Sequence, residues 1–276
     1  MLNKIIDSFC IIDDLLKAMQ YRDDLQAKAP ASEIIIIAIL ACQEFGGNMR
    51  KALEFVQELR LFSFVPSESR FNRRLHSLRD MLPSIFSLLQ AIWERLENCT
   101  SYAIDTFPIL VCENIRANRC KIAPGMEFRG WIPSHRKYFH GLKLYLLTSK
   151  KGFIKEFLIL PGSWHDVARI YRMAINLPLG SCLFATEHTQ ITWLRIYLSW
   201  QKEPSSFLFG SEILNAFPLQ YFSTLKHRIV EIVGSCINAL FPKRIHAITL
   251  PRYIGVLKLS CFVLAYNFNL LLKVAS

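Results

Sequence analysis

The hydrophobic pattern changes near residue 100, and this change most constrains what the chain can fold into. Before it, apolar residues such as Ile5, Ile12 and Met19 recur at helical spacing and form one stripe. After it, short apolar runs separated by turn residues are typical of β-strands. The pattern therefore predicts an all-helical domain over residues 1–100 and an α/β domain over residues 101–276.

Turn and capping residues divide the first domain into short helices. Gly46-Gly47 ends one apolar helix, Asn48 can cap the next, and Ser67 can cap a further one. That last helix carries three arginines beside its apolar face: Arg70, Arg73 and Arg74. Short helices around a tight glycine turn suit a helix-turn-helix-like DNA-binding domain. A helical packing domain with a solvated basic face suits the pattern equally well.

The second domain opens with an apolar run over residues 102–112. Two further runs, over residues 138–148 and 153–160, are joined by a Ser-Lys-Lys-Gly turn and predict a hairpin. The residues from Ser181 to Ala185 predict a fourth strand. After it, the hydrophobic spacing is again typical of helices. The order strand, strand, strand, helix, strand, helices predicts an RNase-H-like fold, which is a mixed sheet with flanking helices.

Composition favours a polyanionic partner. The 276 residues include 33 Lys plus Arg against 22 Asp plus Glu, a net charge of +11, which indicates nucleic acid first and an anionic membrane surface second. The segment from Tyr253 to Val274 is long enough to span a bilayer, but it contains Lys258 and Lys273. We therefore expect a buried helix and no membrane association, with a membrane anchor as the alternative.

The eight cysteines show no CxxC pair and no histidine at zinc-binding spacing. Several lie inside apolar runs, where a free thiol behaves as a small hydrophobic side chain. We expect reduced core cysteines in a cytoplasmic protein. His135, His140 and His165 are interpreted as ordinary polar residues and not as metal ligands.

Two acids stand out for their surroundings. Asp105 interrupts an apolar strand, where an ionised carboxylate is costly unless it is paired or bound to a metal; capping a turn before Pro108 is the alternative. Glu231 lies in a helical segment with Arg228 nearby, and a surface ion pair between them is the simplest interpretation from local context.

Five separated motifs give these acids a context. They read SRFNRRLHSL, IDTFPI around Asp105, EFRGW, LPGSWHDV, and FPKRIHAIT after Glu231. Together and in this order they resemble bacterial insertion-sequence transposases of the 982 type, a branch of the DDE transposases. The resemblance covers about residues 1–185 and again 226–272.

The resemblance implies a chemistry and its ligands. In the family, three carboxylates hold two Mg²⁺ ions about 4 Å apart for in-line attack on a phosphodiester. The first Asp lies on the first strand, the second follows the fourth strand, and a Glu lies on a late helix. Asp105 and Glu231 match the first and last of these, as catalytic residues and metal ligands.

The middle position departs from the family pattern. Thr186 stands where the second Asp is expected, and a hydroxyl group cannot supply its negative charge. Glu187, one residue later, is the candidate replacement, although a shift of one residue turns a strand side chain to the other face. Asp166 is interpreted as a helix cap. The divergence continues over residues 187–225, where aromatic residues replace the expected basic segments.

A basic segment over residues 114–143, which we interpret as a loop, follows the strand that carries Asp105, with aromatic residues interleaved. We expect its cations, together with Arg228, to contact the DNA backbone, with a solvated loop as the alternative. The candidates in this segment are Arg116, Arg119, Lys121, Arg129, Arg136 and Lys137.

The function that the resemblance implies is cleavage and transfer of DNA strands at the ends of an insertion sequence. The loss of the middle Asp implies impaired catalysis. The alternative is a catalytically inactive transposase remnant that only binds DNA. The resemblance also implies terminal inverted repeats and target DNA as partners, a homo-oligomer on DNA, and nucleoid association in a bacterial cytoplasm.

Overall fold

The structure is a computed structural model that describes residues 2–97, 99–120, 123–132, 136–163, 175, 177, 181–185, 229, 231–236 and 251–275. Two compact units account for the chain. One comprises Met1–Leu96 together with Ala239–Ser276, and the other comprises Glu97–Asn238. The C-terminal residues cluster with the helices, whereas the sequence pattern groups them with the α/β domain because of their order along the chain.

The first unit is built from helices in all of its described residues that have regular structure. Five α-helices come from the N-terminal part and one from the C-terminal part: α1 (Leu2–Ala18), α2 (Ala31–Glu44), α3 (Met49–Glu58), α4 (Glu68–Ser77), α5 (Leu82–Leu96) and α6 (Pro251–Ala275). A 3-10 turn, Arg79–Met81, precedes α5.

Helix α2 forms the centre of this unit, because it is apolar on every side. Its residues from Ile34 to Cys42 are all buried, and α1, α3, α4 and α6 contact it. A helix that is hydrophobic all round is stable only when neighbours cover all of it. The predicted buried C-terminal helix agrees with this packing, and no helix among the described residues is long and apolar enough to cross a membrane.

The helix ends test the capping predictions. The Asn48 side chain accepts a hydrogen bond from the Lys51 N–H at 3.2 Å, so this predicted cap of α3 is confirmed. Ser67 occupies the N-cap position of α4 but makes no capping side-chain hydrogen bond, so that prediction is wrong in its contact.

The second unit contains a five-stranded sheet. Its strands are β1 (Ser101–Cys112), β2 (Arg129–Ile132), β3 (Lys137–Ser149), β4 (Ile154–Pro161) and β5 (Cys182–Ala185). Strand β3 pairs antiparallel with β1 on one side and with β2 and β4 on the other, while β5 pairs parallel with β1. The four strands predicted from the sequence and the β3–β4 hairpin are confirmed.

Strand β2 was not predicted, and the interpretation of the whole basic segment as a loop is wrong. Two 3-10 turns, Asn114–Arg119 and Met126–Phe128, precede β2 in this segment. Strand β2 is only four residues long, and its apolar residues do not alternate clearly enough to predict a strand. Its pairing with the first residues of β3 creates it.

The two faces of the sheet differ. On one face, Tyr102 and Ile104 of β1 pack with Tyr145, Leu147 and Leu160 in a buried cluster. Because side chains alternate along a strand, Asp105 and Phe107 lie on the opposite face. The sheet therefore presents Asp105 away from this hydrophobic cluster.

Candidate acidic site and basic surface

Asp105 lies in the middle of β1, opposite Leu146 of β3. Its side chain is half-buried, and one carboxylate oxygen accepts a hydrogen bond from the Thr106 N–H at 2.8 Å. Strand β5 pairs with the other edge of β1 and ends at Ala185, which pairs with Ile104. The end of β5 is thus beside the residue that precedes Asp105. Thr186 and Glu187 follow directly in the chain, and both lie outside the described residues.

Glu231 begins a stretch of helical residues, 231–236, which we call the Glu231 helix. Its side chain is exposed, whereas Val233 and Gly234 are buried. Gly234 packs so closely on the Phe107 ring that a Cβ atom at this position would overlap it. Arg228 lies outside the described residues.

This contact brings together the elements that carry the two acids. Phe107 follows Asp105 by two residues and therefore shares its face of β1. Gly234 follows Glu231 by three residues, which places the two on neighbouring positions of one helix face. The Glu231 helix therefore lies over the face of β1 that presents Asp105.

The two carboxylates are the hard oxygen ligands that Mg²⁺ prefers. Asp105 is held on a paired strand, and Glu231 is exposed on a helix whose packing leaves its side chain open to solvent. The donor chemistry fits a divalent cation. Thr186 corresponds by resemblance to the middle position of the family pattern.

The basic segment presents its cations to solvent. Five of them are exposed, and within the described part of the chain none of the five takes part in an ion pair: Arg116, Arg119, Arg129, Arg136 and Lys137. Lys121 lies outside the described residues. Exposed cations without an ion pair are available to phosphate groups.

Aromatic side chains accompany these cations on the β2–β3 pair. Trp131 and Tyr138 contact each other edge to face, with 4.6 Å between ring centroids, and both are exposed. The Arg129 guanidinium lies 4.5 Å from the centroid of the Tyr138 ring. Such a cation–π contact orients the guanidinium while leaving its N–H groups free to bind an anion.

The three arginines of α4 differ from one another. Arg70 and Arg73 are exposed. Arg74 is half-buried and forms an ion pair with Asp23, whose other carboxylate oxygen accepts the Ala31 N–H at the start of α2. Arg74 therefore links α4 to the start of α2, and only Arg70 and Arg73 are presented to solvent.

Sequence reasoning missed one group of side chains. Cys112, Cys120 and His140 each offer a donor atom, and these atoms all lie within 4.8 Å of one another. Burial, followed by the neighbouring Cys120 thiol, raises the pKa of the Cys112 thiol to about 11. The signal is absent from local spacing because antiparallel pairing opposite β1 brings in His140.

The cysteine prediction is correct in part. The seven cysteines whose side chains the structure describes are reduced, but only Cys42 and Cys261 of these are buried, while Cys10 and Cys236 are exposed. The interpretation of the cysteines as core residues is therefore wrong for most of those described. An apolar run indicates burial only on the side that packs, and exposed positions of a helix can hold a thiol equally well.

Comparison with known proteins finds a family match for part of the chain. Residues 96–192 match the family described as the transposase DDE domain. No curated protein and no solved structure matches the chain. The matched region contains all five strands and Asp105, and it ends before the Glu231 helix.

Proposed function

We propose, because residues 96–192 match the transposase DDE domain, that the chain is an insertion-sequence transposase with impaired strand cleavage and transfer. The observation that carries the proposal is the contact between Phe107 and Gly234, which joins the Asp105 strand to the Glu231 helix. Asp105 and Glu231 are far apart in the chain, but the strand and the helix that carry them are in contact, as the family pattern requires.

The strand order supports the proposal of an RNase-H-like fold, and the 982-type branch remains a proposal from the sequence resemblance. Three antiparallel strands, β4, β3 and β1, are followed in space by β5, which runs parallel to β1. In this arrangement the end of β5 lies beside the middle of β1. A residue that follows β5 can therefore complete a site with Asp105, which is why the identity of residue 186 matters.

Transposases with this domain use divalent metal ions, and Asp105 and Glu231 are the residues that would hold them here. When bound, such ions supply Lewis-acid activation of the attacking oxygen and stabilisation of the leaving oxygen. Asp105 contributes a carboxylate on a rigid strand, and Glu231 contributes one from the helix packed on Phe107. Thr186 contributes no charge, so the donor set lacks one anion unless Glu187 replaces it.

The DNA-binding surface in this proposal includes the exposed cations of the basic segment. Arg116, Arg119 and Arg129 neutralise phosphates, while Tyr138 holds Arg129 in position through the cation–π contact. Lys121, Arg136, Lys137 and Arg228 extend the same role, and Arg70 and Arg73 supply a second contact from α4. A homo-oligomer on paired DNA ends and nucleoid association remain predictions of the family resemblance.

The alternative is an inactive remnant that only binds DNA, and Thr186 is the observation that favours it. Both functions predict DNA binding, so only the chemistry separates them. The test is a strand-cleavage assay on terminal inverted-repeat DNA with Mg²⁺ or Mn²⁺, using the full chain and its Asp105→Ala variant. Cleavage that Asp105→Ala abolishes supports the transposase. DNA binding with no cleavage in either protein supports the remnant, and no DNA binding at all contradicts both.

A further inference from the structure

A second set of donor side chains lies at the far end of β1 from its parallel partner β5. Cys112 is the last residue of β1, Cys120 follows the 3-10 turn Asn114–Arg119, and His140 is on β3. Cys112 and His140 are paired across the two strands. Three segments of the chain thus converge on one point, independently of the acidic site.

We propose that Cys112, Cys120 and His140 bind a Zn²⁺ ion, with water as the fourth ligand. Two thiolates and one imidazole are a donor set that Zn²⁺ accepts in tetrahedral sites, whereas hard Mg²⁺ does not select sulfur. The donor atoms already lie within 4.8 Å of one another. With Zn–S bonds of about 2.3 Å and Zn–N bonds of about 2.0 Å, tetrahedral donors stand roughly 3.5–3.8 Å apart, so small side-chain rotations complete the site.

The surroundings of His140 match those of a ligand. Its ring is buried, with 3% of the residue exposed, and Nε2 lies 2.8 Å from the Ala123 carbonyl oxygen. A carbonyl oxygen only accepts, so Nε2 carries the proton and Nδ1 is left with the lone pair that a metal needs. In histidine ligands, the ring nitrogen that does not bind the metal usually donates a hydrogen bond, for example to a backbone carbonyl. This hydrogen bond fixes the tautomer of the ring.

The segment between the two cysteines has little else to hold it. None of the residues Asn114–Arg119 is buried, and Ile115 is 93% exposed. Among its described side-chain hydrogen bonds, one reaches the sheet, from Asn114 Nδ2 to the Tyr138 carbonyl oxygen at 2.5 Å. A metal bound at both ends of the segment would fix it against β3 without a hydrophobic core.

The charge of the proposed ligands also fits, because two thiolates neutralise the charge of Zn²⁺. The site is separate from the acidic one. His140 and Leu146, the partner of Asp105, lie on the same strand, and six residues at about 3.4 Å each separate them by roughly 20 Å.

The first experiment measures zinc in the full chain purified from zinc-supplemented cells under reducing conditions and without chelator. We expect about one zinc per chain in the native protein, and a tetrahedral thiolate spectrum when Co²⁺ replaces it. The Cys112→Ser/Cys120→Ser double variant should lose the metal. The Cys10→Ser/Cys236→Ser double variant, which alters two exposed cysteines elsewhere, and Asp105→Ala should both keep it. Absence of metal from the native chain, or its retention in Cys112→Ser/Cys120→Ser, would overturn the proposal.

The second experiment needs no variant that has to fold. Alkylation of the native chain, mapped by mass spectrometry, should modify Cys10 and Cys236 readily but Cys112 and Cys120 at least tenfold more slowly. A chelator should abolish that protection. Equal rates before and after chelation contradict the zinc site, as does a disulfide between Cys112 and Cys120 in the reduced, zinc-supplied protein.

Discussion

Asp105 and Cys112 lie on the same strand but belong to donor sets of opposite chemistry. In the proposed acidic set, Asp105 and Glu231 both supply oxygen, and the middle position holds Thr186 instead of an acid. Around Cys112, sulfur and nitrogen donors meet, and all three belong to the described residues. The acidic set is recognisable from a family pattern although it is incomplete. The three residues of the cysteine set lie close together in the structure, although no sequence motif predicts it.

The largest expected effect comes from completing the acidic set. Thr186→Asp supplies the missing carboxylate, and we expect cleavage of terminal inverted-repeat DNA in Mg²⁺ to rise by roughly 10²-fold, the scale of one well-placed electrostatic group. The measurement is initial cleavage rate under single-turnover conditions.

Thr186→Asn is the matched control, because it adds a polar group of similar size without charge. The rise should disappear when Asp105→Ala is added to Thr186→Asp. An unchanged rate in Thr186→Asp, with DNA binding intact, would mean that charge at residue 186 is not what limits catalysis.

The next effect is a difference between Zn²⁺ and Mg²⁺ in how much each stabilises the folded chain. Zn²⁺ binds only the folded arrangement of Cys112, Cys120 and His140, so at one hundred times its Kd it should stabilise the chain by about 2.7 kcal/mol. The measurement is urea unfolding of the metal-stripped protein with and without Zn²⁺.

Magnesium at the same concentration should not reproduce this stabilisation, because it does not select thiolates. His140→Gln keeps the approximate shape of the side chain and should remove most of the response to Zn²⁺. Equal stabilisation by Zn²⁺ and Mg²⁺ would mean that the cysteine set does not select Zn²⁺ over Mg²⁺.

The contact between Gly234 and Phe107 gives a smaller effect on stability. We expect its sign to be opposite to that of Gly→Ala in an ordinary exposed helix. In an exposed helix, Gly→Ala stabilises by about 0.5–1 kcal/mol. At Gly234 the new methyl group would overlap the Phe107 ring, so we expect destabilisation by about 1–3 kcal/mol in urea unfolding.

Ser235→Ala, at the exposed neighbouring position, is the control and should change stability little. Adding Phe107→Leu to Gly234→Ala should recover part of the loss, because the ring is the group that is overlapped. Zinc content should stay unchanged in all of these variants. Stabilisation by Gly234→Ala would contradict the packing of the Glu231 helix on β1.

The sequence predicted the parts of the fold that depend on local patterns. The long strands β1, β3 and β4 have continuous apolar runs, and Gly152, with a positive φ, marks the turn between β3 and β4. Asn48 was recognisable as a cap because capping is a contact within three residues.

What the sequence did not reveal depends on contacts between distant residues. Strand β2 exists because β3 offers it an edge, and Arg74 is engaged because Asp23 lies beside it. The group of Cys112, Cys120 and His140 follows from the β1–β3 register. Asp105 was found because an acid within an apolar strand is costly, whereas the importance of Glu231 came from the family resemblance alone.

The smallest effect concerns the segment that separates the two cysteines. Arg116→Ala/Arg119→Ala should weaken DNA binding and reduce the slope of log K against log salt by about 2, since each phosphate contact contributes about 0.9. The measurement is a salt titration of binding to inverted-repeat DNA. Lys150→Ala/Lys151→Ala removes two exposed cations from the β3–β4 turn and is the matched control, with the slope expected to stay the same.

The same titration connects the cysteine set to DNA binding. If zinc fixes the segment Asn114–Arg119 against β3, stripping the metal from the native chain should lower the affinity for DNA by freeing Arg116 and Arg119 to move. In Arg116→Ala/Arg119→Ala the same treatment should have little further effect, because the cations that the metal orients are already gone. Additive losses would mean that the metal and the two arginines act independently, and a normal slope in the arginine variant would assign phosphate binding to other cations.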